Sequence, residues 1–161
     1  MRLLLPLFLA FAATASAMAQ EQPVSTRILL AGNSCTTAGD KGAGNQEVIG
    51  ACYQAASTIQ AIRDANTLNP HEMNLYHVML SLAHTTIGSR MGAIDGARTK
   101  RTCDELEISW ANLSKLVPGN SPPDYASDMF TLQQQAVQPV KLCRSEFGTP
   151  AGAPRLPPGT E

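Results

Sequence analysis

Apolar residues recur at three- and four-residue intervals in four stretches of this chain, the repeat of a helix face. The stretch 69–97 organises the others. It opens with Asn69, Pro70 and Glu72: a capping asparagine, a proline in the first turn and a glutamate three residues after the cap. Leu75, Val78, Met79, Leu82 and Thr86 share one face, and Met73, His77, Leu80, His84 and Met91 form a stripe on roughly the opposite side. Apolar residues on two faces predict a central helix with neighbours on both sides. Ser81, Thr85, Gly88, Gly92 and Gly96 make a third ridge of small residues, which admits close approach by another helix. Each glycine costs about 1 kcal/mol against alanine, so the ridge also offers places for the helix to stop. A continuous helix is the reading adopted.

Three further helices follow from the same repeat. Over 46–68 the seam is Val48, Cys52, Ala55, Ile59 and Ile62. Thr102 with Glu105 has the form of a capping box, and behind it Cys103, Leu106, Trp110, Leu113 and Val117 make a third seam. Ser121 and Pro122 open a fourth helix carrying Tyr125, Met129, Leu132, Ala136, Val140, Cys143 and Phe147, with a kink expected at Pro139. Residues 20–45 read as an irregular arm that ends in a mobile, glycine-rich linker. Residues 148–161, rich in proline and glycine, read as a disordered tail. The predicted fold is therefore all-α: an antiparallel up-and-down four-helix bundle over 46–147 with short joins.

The first nineteen residues stand outside that fold. Arg2, an apolar run over 3–13 and Ala17-Met18-Ala19 match a secretory leader with cleavage before Gln20. No later stretch reaches the roughly 18 apolar residues of a membrane span, so the mature chain is expected to be exported, periplasmic or secreted, and soluble without membrane insertion. Removing the leader takes one of 12 basic residues and none of 13 acidic ones, leaving a formal charge of −2. That balance argues against nucleic acid as a partner. Four cysteines in an exported chain imply two disulfides, and sequence alone allows three pairings. In an up-and-down bundle Cys103 and Cys143 fall at the same end of antiparallel neighbours. This leaves Cys35 with Cys52 to pin the N-terminal arm.

The cysteine layout, with Cys103-Asp104-Glu105-Leu106 opening the later pair and Leu142-Cys143-Arg144 closing it, resembles the plant invertase and pectin-methylesterase inhibitor family of exported four-helix proteins. The first pair here is more widely spaced than in that family, and the resemblance extends only to the four cysteines and the helix order. For metal, Met73, His77 and His84 share a stripe, and thioether with imidazole suits copper in an exported protein. For catalysis, His77 and Ser81 are one turn apart, but no carboxylate on that stripe would orient the histidine. The expectation that results is an exported helical module without a cofactor, binding a protein partner in the envelope as an inhibitor or adaptor does. A periplasmic copper protein is the alternative, and a small hydrolase comes third.

Overall fold

A computed structural model describes residues 22–158. The predicted leader at 1–19 lies outside them, as do the last three residues of the tail. Among the described residues the chain is all-helical and carries two disulfides, Cys35–Cys52 and Cys103–Cys143. Helix α1 spans Val24–Asp40, α2 Asn45–Asp64, α3 Pro70–Asp95, α4 Lys100–Leu113 and α5 Pro123–Phe147, with a short 3-10 turn at Pro118–Asn120 before α5.

The first helix corrects the irregular arm and mobile linker expected over 20–45. No side chain caps α1, and Gly32, Gly39 and a run of Asn, Ser and Thr lower its intrinsic helicity. Tertiary contact overrides that preference. Ile28 and Cys35 are fully or almost fully buried in one cluster with Val48, Ile59, Leu80 and Ile87, and Gly32 lets the helix settle onto Met79. The disulfide to Cys52 ties α1 directly to α2, and closing such a short loop stabilises by about 3 kcal/mol in the chain-entropy model. Gly42, at φ +75°, makes the turn between the two helices.

The helix start at Asn69 forms as its residues dictate. The Glu72 amide donates to Asn69 Oδ1 at 2.9 Å, and the Asn69 amide donates back to Glu72 Oε2 at 3.0 Å. From there α3 runs unbroken through Gly88 and Gly92 and stops at Gly96, which takes the left-handed cap at φ +65°. It is the central element. One side, with Leu75, Tyr76, Leu80, Ala83, Ile87 and Met91, packs on α1 and α2. Another side contributes Val78 and Leu82 to a second cluster with Trp110, Leu113, Met129, Val137 and Val140 of α4 and α5.

Against α4 the contacts run in opposite order along the two helices: His77 meets Asn112, Ser81 meets Ser109, and His84 meets Glu105. The small ridge makes this approach possible. A Cβ on Gly88 would come within 3.2 Å of the Thr102 carbonyl oxygen. Helix α4 starts three residues earlier than the capping box suggested, with Thr99 Oγ1 accepting from the Thr102 amide. Val117, assigned to the third seam, is 51 % exposed and Leu116 is buried instead, because the helix ends at Leu113 and its period ends with it.

The tail is also corrected. Instead of standing disordered, residues 148–157 lie along α4 and α5. The Trp110 Nε1–H donates to the Pro154 carbonyl at 3.2 Å, Arg144 Nη2 donates to the same oxygen at 2.9 Å, and Leu156 packs on the second cluster. A proline-rich segment cannot build a core of its own, but it can complete one. The buried indole needs an acceptor that no helix backbone offers.

Candidate functional site

The face between α3 and α4 is polar along its whole length, and each of its groups follows from helix spacing. Asn74, His77, Ser81, His84 and Thr85 project from α3. Thr102, Glu105, Ser109 and Asn112 recur at three, four and three residues on α4. Asn74 closes one end, with its amide nitrogen 2.8 Å from the Val117 carbonyl and its oxygen accepting from the Val117 amide. Next, His77 Nδ1 lies 2.9 Å from Asn112 Oδ1. Asn112 spends its amide N–H on the Ile108 carbonyl, so its oxygen is the acceptor and His77 Nδ1 carries the proton.

Ser109 Oγ then stands 2.8 Å from both Ser81 Oγ and Thr85 Oγ1. At the far end Glu105 takes His84 Nδ1 at 2.7 Å on one oxygen and the Tyr53 hydroxyl of α2 on the other, joining three helices through one carboxylate. Among the described residues no buried side-chain polar atom lacks a partner. A seam satisfied in this way fixes the register of the helices that share it.

Electrostatics follow the same layout. Burial lowers the pKa of His77, against a raising hydrogen bond from Asn112 and with help from the nearby charges of Lys115 and Arg63. For Glu105, burial pushes the carboxyl up. The hydrogen bonds from His84 and Tyr53, with the charges of His84 and Arg101, outweigh it and leave the group below the ordinary carboxylate value. Glu107, two residues on and on another face, is held by the Arg144 guanidinium through two bonds of 2.7 and 2.8 Å.

The residues singled out for copper are therefore engaged separately. Met73 packs against the α1–α2–α3 cluster. His77 and His84 are both pinned by Nδ1 to α4, on anchors seven residues apart, which sets the rings two helical turns or roughly 10 Å from each other. No group of three or more His, Cys, Asp or Glu side chains among the described residues is arranged to hold a metal ion. Met129 of α5, a further thioether, is buried in the second cluster. Ser81 and His77 do lie in one seam, yet each bonds across to α4.

The same seam borders a cleft. Helices α3 and α5 both pack on α4 and meet each other through side chains of the second cluster and the His71–Tyr125 ring pair rather than by close backbone approach. In the gap is a cavity of about 150 Å³ lined by Ser81, Thr85 and Ser109 together with Leu113, Leu132 and Val140. An outer groove of about 350 Å³ continues along Gly88, Ser89 and Gly92. Thr85, Leu106 and Pro139 border both. Pro139 supplies no N–H, so the Gln135 carbonyl one turn back loses its helical donor at the edge of the inner cavity.

The sequence reading paired Ser81 with His77 and took Thr85 only as a small residue, and it did not assign Ser109 or Asn112 to this seam. The signal was the 102, 105, 109, 112 repeat, which the stronger apolar seam beside it concealed. No protein-family model matches this chain, and no curated protein or solved structure matches it.

Proposed function

We propose that this chain is an exported, disulfide-stapled binding module whose helices α2 to α5 form an antiparallel up-and-down bundle with α1 added to one side, and that it engages a protein partner as an inhibitor or adaptor does. The observation that carries the reading is the cleft between α3 and α5, floored by α4 and open to the outside along Ser89 and Gly92. Concave sites between the helices of a bundle are where ligands of such folds are held. The titratable groups of the adjoining seam, His77, His84 and Glu105, are spent on joining helices, which favours binding over acid–base chemistry. Two disulfides and the leader-like start fit export.

The test is capture from the native envelope fraction with residues 20–161 immobilised, compared with Ser89→Arg. Ser89 is exposed and borders the outer groove, so the arginine blocks the cleft while sparing the core. A protein retained in stoichiometric amount by the wild type and lost with the variant is the expected result. Identical capture by both forms, or none by either, would overturn the reading.

A further inference from the structure

Ser81, Ser109 and Thr85 carry three O–H bonds, and their two mutual contacts use only two of them. Whichever way the donors are ordered, one O–H is left over. It belongs to Ser109 if that residue accepts from both neighbours, and otherwise to Ser81 or Thr85. Among the described residues no other acceptor bonds to the trio. Ser81 and Ser109 are 2 % and 1 % exposed, so on either of them bulk water does not solvate this donor freely, whereas Thr85 is half-buried. A buried hydroxyl without an acceptor is unfavourable, and all three side chains border the inner cavity. Its remaining walls are mostly aliphatic, and no charged residue is among them, which selects against a charged guest. The volume, about 150 Å³, is that of an apolar cavity able to hold a single aromatic ring.

We infer that the inner cavity between α3, α4 and α5 is a binding site for a small, neutral, largely apolar molecule of about one ring carrying an acceptor oxygen, such as a ketone or ether, seated on the leftover O–H of the Ser81–Ser109–Thr85 trio. The site lies at the inner end of the cleft but requires no protein partner, so its test and the capture test fail independently.

The experiment uses the full mature chain with labelled methyl groups, titrated with acetophenone and, separately, with isopropylbenzene, which has a similar shape and no oxygen. Acetophenone is expected to shift the Leu113, Leu132 and Val140 methyl signals saturably. Its dissociation constant should lie roughly 2- to 10-fold below that of isopropylbenzene, the contribution of one neutral hydrogen bond. The triple variant Ser81→Ala, Thr85→Val, Ser109→Ala removes all three O–H groups and should bring the two affinities together. Ala136→Leu fills the cavity and should abolish both. Should the triple variant not fold, the wild-type comparison and Ala136→Leu still decide. Equal wild-type affinities, absence of saturable shifts up to millimolar ligand, or shifts that persist in Ala136→Leu would each overturn the proposal.

Discussion

Asn112 accepts from His77 Nδ1 in a place where the imidazolium would be poorly solvated, so folding favours the neutral ring. The sign of the pH dependence follows. With its folded pKa below the ordinary 6.5, His77 contributes stability that is fully present above pH 6.5 and is lost as pH falls toward the folded value. Glu105, lowered from 4.5, behaves in the same sense at lower pH, with its contribution complete above 4.5 and lost below. Urea titrations of the wild type should therefore show a plateau above neutrality, a first decline beginning below pH 6.5 and a second beginning below pH 4.5. His77→Gln should flatten the first decline and keep the second. An unchanged first limb in that variant would mean that another group drives it.

Packing of α4 on α3 depends on two glycines of one ridge that do different things. At Gly88 a Cβ would meet the Thr102 carbonyl at 3.2 Å and Leu106 Cγ at 3.3 Å, on a neighbouring helix that is stapled in place by Cys103–Cys143. At Gly92 the nearest atom is 3.7 Å away, an ordinary contact. Alanine gains about 1 kcal/mol of helix propensity at either position. Overpacking costs about 1–3 kcal/mol where the neighbour cannot yield. Gly92→Ala should therefore raise unfolding stability by up to about 1 kcal/mol, whereas Gly88→Ala should lower it by up to about 2 kcal/mol. Chemical denaturation of the two variants gives the comparison directly, and equal effects would remove the distinction between close approach and mere tolerance. The residue pattern showed the ridge but not which glycine is compressed, since that depends on where the α4 backbone lies.

The segment 148–157 completes the second core by covering Trp110 and placing Leu156 on it. A chain ending at Thr149 loses the indole's acceptor, one of three Arg144 hydrogen bonds and the Leu156 contact. We expect truncation there to cost about 2 kcal/mol, from one net hydrogen bond and part of a leucine's burial, and to red-shift the emission of the sole tryptophan. An unchanged thermal midpoint with unshifted fluorescence would show that the segment does not dock in solution. The Cys103–Cys143 bridge, closing 40 residues between α4 and α5, contributes about 4 kcal/mol in the chain-entropy model and holds the platform on which the segment lies.

Local repeat was enough to read α2, the extent of α3 and most of the faces of α4 and α5, because a 3.6-residue period states which side of a helix must leave water before any partner is known. On α3 it grouped Leu75 and Met79 with Val78 and Leu82, whereas they pack with Leu80 on the α1–α2 side. Val48, Cys52, Ala55, Ile59 and Ile62 are all buried for that reason, and both cysteine pairs follow from helix order. The helicity of α1, the docking of 148–157, the shared use of Glu105 by Tyr53 and His84, and the cavity beside Ser109 were not legible in this way. Each depends on groups far apart in the chain, 17 residues for Cys35–Cys52 and 52 for Tyr53–Glu105, whose attraction or mismatch exists only once the helices have packed.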